Sequence, residues 1–226
     1  MVKRISVIEN ILNANDRLAG ENRALLDASG VYSLNLMASP GAGKTSLIEH
    51  TITRLSALFN LAVIDGDLAT SLDADRAAAA GAVAIQINTG GECHLDAAML
   101  SQALVQIDLD TIDLLIVENV GNLICPSSFK LGTHKDILIA SIPEGDDKPY
   151  KYPTMYRGVD VLILNKIDLL PYVEFDIDYF HQGVKQLNPD IELFTTSCRT
   201  QEGLDTWIEW INTSIKLRKR SILAET

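Results

Sequence analysis

The sequence has few cysteines, a deficit of basic residues and no long apolar run. Three cysteines in 226 residues make a disulfide framework implausible, which leaves metal binding or redox chemistry as the better use of the thiols. Lys and Arg number 19 against 30 Asp and Glu, and the net charge of -11 argues against a nucleic-acid partner. No apolar run reaches the ~18 residues of a membrane helix, and the first residues lack a signal-peptide pattern. We therefore expect a cytoplasmic protein with neither a membrane nor a nucleic-acid partner.

Short apolar runs alternate with helical patterns along most of the chain. Hydrophobic residues make up 47% of the sequence, which is enough for the core of one α/β domain. Strand-like runs fall at residues 34–37, 61–64, 83–87, 114–117, 137–142, 161–164 and 192–195. Helical spacing lies between most of them, at residues 44–59, 73–80, 96–107, 178–187 and 204–217. This alternation predicts a mostly parallel sheet flanked by helices, with ligands at the carboxyl ends of the strands.

The beginning of the chain predicts a helix of its own. Residues 5–28 have the spacing of an amphipathic helix, with Ile5, Ile8, Leu12 and Leu18 toward one face. We expect residues 1–30 to pack as a helical segment on a single domain formed by residues 31–226.

The most informative motif is Ser-Pro-Gly-Ala-Gly-Lys-Thr at residues 39–45. It follows a strand-like run and opens a helical pattern, which is the setting of a phosphate-binding loop. In such a loop Lys44 reaches the β- and γ-phosphates, and the Thr45 hydroxyl holds Mg2+. Ala38 replaces the first glycine of the usual pattern, which predicts that this position has no positive φ. The loop indicates a nucleoside-triphosphate site, with contacts from Gly41, Ala42, Gly43, Lys44, Thr45 and Ser46.

A base-reading motif, Asn-Lys-Ile-Asp, follows the strand-like run at 161–164. Asp168 can accept hydrogen bonds from the N1–H and the 2-amino group of guanine, whereas adenine would leave this carboxylate unpaired. The aliphatic stem of Lys166 can lie along the base, and Asn165 can brace the loop. Ser197, in the Thr-Ser-Cys loop after the next strand, is expected to back the base. The expected nucleotide is therefore GTP.

Two further strand ends carry candidate catalytic residues. Glu118 ends an apolar run and Gly121 follows three residues later, as in segments that sense Mg2+ and the γ-phosphate. Asp67 is the candidate for orienting water or a Mg2+-bound water, although Asp65 and Asp67 could instead cap the next turn. Asn122 stands where Ras-type GTPases use a glutamine to orient water. The candidate catalytic residues are therefore Lys44, Asp67 and Glu118. Because no glutamine follows Gly121 to orient water, we predict slow intrinsic GTP hydrolysis.

Cys93, His94 and Cys125 are candidate ligands for Zn2+ or Ni2+. Adjacent residues tend to point apart, so Cys93 and His94 are not expected to clasp one ion, and three ligands do not close a four-ligand site. Both points favour a site completed by a second copy of the chain, or one left open for metal transfer. The alternative is that Cys125 is a small buried hydrophobe and His94 a polar residue at a helix start. Cys198 is expected to be structural, and His134 to lie on the surface.

Taken together, these motifs resemble the HypB family, the nickel-incorporation GTPases of hydrogenase maturation. The matching stretches are residues 39–45, 87–90, 93–97, 118–126, 144–149, 151–153 and 165–168. The resemblance implies an α/β P-loop NTPase fold of the metallochaperone GTPase type. It also implies a cytosolic GTPase that dimerises with GTP, with a nickel or zinc site made by Cys93, His94 and Cys125 at the dimer interface.

The resemblance further implies partners and a role in nickel delivery to nickel–iron hydrogenase. A small zinc-containing nickel chaperone is the expected partner, with the hydrogenase large-subunit precursor as the recipient. Lys148, in the Gly-Asp-Asp-Lys-Pro segment, is expected to reach the nucleotide of the facing subunit. Residues 1–30 contain no Cys and no His, so a separate amino-terminal nickel site is not expected.

Three other interpretations of the motifs stay open at the level of sequence. A urease-type accessory GTPase would carry a Cys-Pro-His metal motif, whereas Cys93 and His94 are adjacent here, with no proline between them. A P-loop kinase would not need the guanine-reading motif. A metal-binding module stabilised by nucleotide would bind the same ligands without useful hydrolysis.

Overall fold

The structure is a computed structural model that describes residues 7–67, 71–122 and 124–225. Its centre is a seven-stranded sheet with the order β3-β2-β4-β1-β5-β6-β7, and all the strand pairings are parallel. The predicted mostly parallel α/β sheet is thereby confirmed. The strands are β1 (Tyr32–Ala38), β2 (Leu61–Asp67), β3 (Val83–Asn88), β4 (Leu114–Glu118), β5 (Lys135–Ser141), β6 (Val161–Asn165) and β7 (Glu192–Thr195).

Helices flank the sheet and connect its strands. They are α1 (Val7–Ala28), α2 (Lys44–Leu55), α3 (Leu72–Ala80), α4 (Ala97–Leu104), α5 (Lys148–Lys151), α6 (Pro153–Arg157), α7 (Ile177–Leu187) and α8 (Leu204–Glu225). Short 3-10 turns occur at Leu109–Thr111, Pro126–Ser128, Ile142–Glu144 and Ile167–Tyr172. The short helices α5 and α6 have no counterpart in the sequence prediction, because four or five residues are too few for a helical period to be recognised.

The central strands are buried along their whole length, which explains their continuous apolar sequences. All residues of β1, β4 and β6 are buried, as expected for parallel strands covered on both faces. On one face, α2 and α8 pack with Trp207 at the centre of the core. On the other face, one core surrounds Leu26 and Leu100, and another surrounds Phe180. The loops at the carboxyl ends of the strands therefore rest on a rigid base.

The amino-terminal helix α1 packs against the domain with a partly polar face. The buried residues are Asn15, Ala19, Asn22 and Leu26, whereas the predicted Leu12 and Leu18 are only half-buried. The prediction of the buried face was therefore wrong at its centre, because Asn15 and Asn22, which are not part of the apolar pattern, are buried there. Ile5 and the side chain of Ile8 lie outside the part of the chain that the structure describes.

Within the described residues, no helix combines the length and the hydropathy needed to cross a bilayer.

Candidate functional site

The phosphate-loop motif lies between β1 and α2, at the carboxyl edge of the sheet. Gly41 and Gly43 have φ values of 75° and 105°, a left-handed conformation that favours glycine. Ala38 is a residue of β1 paired with Ile139, which confirms that this position needs no positive φ. Gly43 caps α2 without a side-chain hydrogen bond. The first N–H groups of α2 are therefore open to an anion.

A cavity of about 530 Å³ covers this loop. Lys44 lies in it with only 9% of its surface exposed. Burial lowers the pKa of Lys44, and the nearby Glu118 carboxylate partly opposes this effect. Of the predicted site residues, the cavity is lined by Gly41, Gly43, Lys44, Thr45, Ser46, Asp67, Glu118, Gly121 and Lys166. The loop, the strand ends and the base-reading segment thus share one cavity.

Three carboxylates converge beside Thr45. The Thr45 hydroxyl donates to Glu118 Oε1 at 2.8 Å, and one carboxylate oxygen each from Asp65, Asp73 and Glu118 lies within 4.8 Å of the others. Burial raises the pKa of Asp65 to about 7, and the charges of Asp73 and Asp67 add to this. Burial also raises the pKa of Glu118 to about 7, against the hydrogen bond from Thr45.

This oxygen cluster fits a magnesium ion. Among the described residues, Asp65 Oδ2 is a buried oxygen without a hydrogen-bond partner. Mg2+ prefers carboxylate and hydroxyl oxygens and phosphates as ligands, and its charge would compensate the buried carboxylates. The sequence pointed to Asp67 rather than to Asp65, and it gave no indication of Asp73. Asp65 precedes the predicted Asp67 by two positions in the same strand and was a candidate, whereas nothing in the sequence around Asp73 connects it with this site.

A second cavity, of about 450 Å³, borders the first at Gly43 and Lys166. The Asn165 amide donates to the Ala42 carbonyl at 2.9 Å, and Lys166 Nζ donates to the Gly41 carbonyl at 2.5 Å. Both bonds hold the base-reading segment against the phosphate loop.

Asp168 lines this second cavity together with Asn165 and Lys166. Ser197, which is fully buried, donates from its hydroxyl to Asp168 Oδ1 at 2.7 Å. The other Asp168 oxygen lies 3.8 Å from the Arg199 guanidinium. Ser197 therefore lies in the loop after β7, and its hydrogen bond orients the Asp168 carboxylate that would bind the guanine base.

The loop after β4 connects the phosphate loop with Cys93. A Cβ at Gly121 would lie 3.3 Å from Pro40 Cγ, so the loop packs directly on the phosphate loop. The Asn122 amide donates to the Cys93 carbonyl at 3.3 Å. Gly121 lies beside the expected position of the γ-phosphate, and the next residue, Asn122, is bonded to the backbone of Cys93. The nucleotide site and the candidate metal ligands are therefore connected by two consecutive residues.

Cys93 lies close to each of the other two candidate metal ligands of the same chain, but the ligand atoms of these three described residues do not all lie within 4.8 Å of one another. The Sγ of Cys93 and the Nδ1 of His94 are 3.9 Å apart, less than the sum of a ~2.3 Å Zn–S and a ~2.1 Å Zn–N bond. A hydrogen bond with the Cys125 thiol is the main cause that raises the pKa of Cys93. The His94 ring stacks on Phe129 at 4.0 Å between centroids. The expectation that Cys93 and His94 point apart was wrong, because they lie in a bend rather than in a strand.

Glu144 is a further residue that the sequence analysis left without a role. Its carboxylate accepts from the Ser39 hydroxyl at 2.8 Å and from the Ser141 hydroxyl at 2.7 Å. It therefore connects the end of β5 with the first residue of the phosphate loop. Lys148, which begins α5, has its ammonium 5.2 Å from the centroid of the Tyr152 ring, and it is not one of the described residues that line either cavity.

Two remaining predictions concern Cys198 and His134. Cys198 is half-buried, and burial raises its pKa to about 11, as expected of a structural thiol. His134 does not lie on the surface as predicted: its side chain is 9% exposed and pairs with Asp27. The sequence Gly-Thr-His-Lys is typical of a surface turn, but the His134 side chain is directed toward α1, where it pairs with Asp27.

Known proteins are similar to this chain over most of its length. Residues 33–195 match the family model described as CobW/HypB/UreG, nucleotide-binding domain. The hydrogenase maturation factor HypB of Azotobacter vinelandii is 46% identical over 219 residues, which cover 97% of this chain and 72% of that protein.

Two crystal structures of HypB match with a TM-score of 0.85 and 37% identity over 90% of this chain. The HypB of Archaeoglobus fulgidus is covered completely, and that of Helicobacter pylori, in complex with nickel, to 95%. The matches span the phosphate loop, the base-reading segment and the strands between them. The chain therefore belongs to the HypB family of hydrogenase maturation factors.

Proposed function

We propose that this protein is a slow GTPase whose nucleotide state opens and closes a nickel- or zinc-binding site during nickel insertion into hydrogenase. The observation that carries the proposal is the segment at residues 119–122, which follows β4. It packs on the phosphate loop through Gly121 and contacts the Cys93 backbone through Asn122, and Cys125 follows three residues later in the sequence. The presence or absence of a γ-phosphate at Gly121 can thereby change the relative positions of two metal ligands.

The nucleotide would occupy both cavities at the carboxyl edge of the sheet. Lys44 and the open N–H groups of α2 would bind the phosphates, and Asp168, held by Ser197, would accept the guanine donors. Mg2+, when bound, supplies positive charge at the phosphates, and Thr45 and Glu118 would hold it. Asp67 remains our candidate for orienting the attacking water. The Asn122 amide donates to the Cys93 carbonyl and accepts from the Ile124 N–H, so both ends of this side chain are engaged away from the phosphates, which supports slow hydrolysis.

The metal would be bound by thiolate and imidazole ligands of each chain. Cys93, His94 and Cys125 leave at least one position of a four-ligand site open, which a second copy of the chain or a transfer partner could fill. In our proposal GTP favours the dimer, and Lys148 reaches the nucleotide of the facing subunit. A small zinc-containing nickel chaperone would supply nickel, and the hydrogenase large-subunit precursor would receive it.

The proposal is tested by titrating Ni2+ and Zn2+ into the GDP-bound protein and into protein with a non-hydrolysable GTP analogue. Light scattering follows the mass during each titration. We expect the analogue to favour a dimer and to change metal affinity, and Cys125→Ala to weaken metal binding at least tenfold, because a coordinating thiolate is lost. Ser128→Ala changes an exposed residue of the 3-10 turn that follows Cys125 and is the matched control. If mass ignores the nucleotide and metal binding ignores Cys125, the coupled switch is wrong.

A further inference from the structure

The buried face of α1 carries two asparagines at positions where a packed helix normally has apolar residues. Asn15 and Asn22 lie seven residues apart, on the same face of the helix, and are only 7% and 3% exposed. Burial of a primary amide is unfavourable unless its polar atoms are hydrogen-bonded. Their presence therefore calls for specific partners.

Each of the two amides bonds to two stretches of backbone that are remote from each other in sequence. Asn15 Oδ1 accepts from the Ala97 N–H at 2.9 Å, and Asn15 Nδ2 donates to the Lys130 carbonyl at 2.8 Å. Asn22 Nδ2 donates to the Ala97 carbonyl at 2.9 Å and to the Leu131 carbonyl at 3.0 Å. The two side chains thus hold both polar groups of Ala97 and two consecutive carbonyls of the other stretch.

These two stretches are the ones that carry the candidate metal ligands. Ala97 opens α4 three residues after His94, and Lys130 follows Cys125 by five residues. The second stretch lies directly on the helix, since a Cβ at Gly132 would be 2.2 Å from a backbone carbonyl oxygen of α1. The contacts of both stretches with α1 therefore fix the distance between them.

The same two loops are joined a second time on the side of the nucleotide. Asn119, which is fully buried, accepts from the Leu95 N–H at 3.0 Å, and Asn122 donates to the Cys93 carbonyl. The candidate metal site thus lies between two sets of hydrogen bonds. One set belongs to the loop that would sense the nucleotide, and the other belongs to α1.

We infer that α1 is the fixed support of the metal site, and that Asn15 and Asn22 position the Cys93–His94 pair relative to Cys125. This inference rests on the metal site of the proposed function. Both asparagines are positioning residues, because they act on the ligands only through backbone groups. Apolar side chains at these positions would cover the core equally well but would remove the bonds to the Ala97 N–H and to the Lys130 and Leu131 carbonyls. Covering the core therefore does not account for the asparagines.

The first test needs no metal and measures the proximity of the two thiols. Diamide takes up two electrons and two protons as the Cys93 and Cys125 thiols become a disulfide, and mass spectrometry of the cysteine peptides gives the rate. We expect Asn15→Ala and Asn22→Ala to form this disulfide several-fold more slowly than the wild type. Asn13→Ala, at an exposed asparagine of the same helix, should keep the wild-type rate.

The second test measures metal affinity with Co2+, whose thiolate charge-transfer absorption reports ligation by cysteine. Loss of a group that orients a metal ligand typically weakens binding by roughly 10- to 100-fold, and we expect about tenfold for each alanine variant. Asn15→Asp keeps the acceptor for the Ala97 N–H but places a carboxylate oxygen against the Lys130 carbonyl, so its affinity should fall at least as far as that of Asn15→Ala. Unchanged GDP affinity and a single cooperative urea transition show that the fold is intact.

The outcomes separate the inference from the proposed function. Wild-type disulfide rates and Co2+ affinities in folded Asn15→Ala and Asn22→Ala would overturn the role of α1. If one of the two alanine variants does not fold, the other decides by the same two measurements. A wild-type protein whose Co2+ absorption does not depend on Cys125 would refute the metal site itself, while the disulfide rates would still decide whether α1 positions the thiols.

Discussion

At the scale of single residues, His134 shows how a buried polar side chain ties distant elements together. Its Nδ1 accepts from the Ser33 N–H at 3.0 Å, and its Nε2 lies 3.0 Å from Asp27 Oδ1. The proton of the neutral ring is therefore on Nε2, where it bonds to Asp27 of α1. Burial, with the charge of Arg23 adding to it, lowers the pKa of His134 to about 4.

This pKa predicts acid sensitivity of the fold. An unfolded histidine has a pKa of about 6.5, so between roughly pH 6.5 and 4 the unfolded state binds more protons than the folded state. The contribution of His134 to the free energy of unfolding is complete above this range and is lost as the pH falls through it. We expect urea midpoints of His134→Gln to depend less on pH than those of the wild type.

The control for this experiment is His181→Gln, a half-buried histidine of α7. It should keep the wild-type pH dependence. Only the difference between variant and wild type is informative, because the raised pKa values of Asp65 and Glu118 act in the opposite direction. Parallel pH curves for wild type and His134→Gln would contradict the prediction.

At the scale of elements, the phosphate loop depends on its two left-handed glycines to different degrees. A Cβ at Gly41 would meet no atom within 4 Å, so a substitution there only strains the backbone. A Cβ at Gly43 would lie 2.4 Å from Asn165 Nδ2. A side chain at Gly43 would therefore also push the base-reading segment away from the loop.

We expect the two alanine variants to differ in nucleotide affinity. A left-handed non-glycine residue costs roughly 1–2 kcal/mol, which corresponds to about tenfold weaker GDP binding for Gly41→Ala. Gly43→Ala should lose on the order of 100-fold or more, because the clash with Asn165 adds to the strain. Titration of a fluorescent GDP analogue measures both. Ala38→Gly, in a strand, is the control and should stay within about threefold; equal losses at Gly41 and Gly43 would disprove this account.

At the scale of the whole molecule, the strand order collects the functional segments at one edge. The phosphate loop follows β1, Glu118 ends β4 beside it, and Asp65 lies on β2 next to β4. Asn165 ends β6, which is separated from β1 by β5. Because parallel strands all end at the same edge, residues from four remote parts of the sequence share two adjoining cavities.

Nucleotide binding should therefore stabilise the entire domain. A ligand at 100 times its Kd adds about 2.7 kcal/mol to the free energy of unfolding, and each kcal/mol shifts the Tm of a domain of this size by about 2–4 °C. With Mg2+ present, we expect GDP to raise the Tm by roughly 5–10 °C and ADP at the same concentration to have little effect.

Asp168→Asn should abolish most of the GDP effect, because the amide cannot accept both guanine donors. Asp190→Asn, an exposed aspartate in the turn between α7 and β7, is the control and should respond like the wild type. Equal stabilisation by ADP and GDP would contradict guanine specificity. Differential scanning calorimetry supplies all of these values.

The amino-acid sequence by itself determined the strands, the phosphate loop and the base-reading segment. Each of these depends on residues close together in the chain: glycines for a left-handed turn, or an apolar run followed by polar ligands. For the same reason the conformation of Ala38 could be inferred correctly, whereas the role of Ser197 at the base stays a prediction.

Only the tertiary structure decided which polar residues share a site. Asp65 and Asp73 join Glu118, His134 lies buried against α1, and the asparagines of α1 hold the loops of the candidate metal ligands. The partners of these side chains are backbone groups and carboxylates far away in sequence. Whether a buried polar atom is satisfied depends on the packing of several elements at once, which no local pattern of residues records.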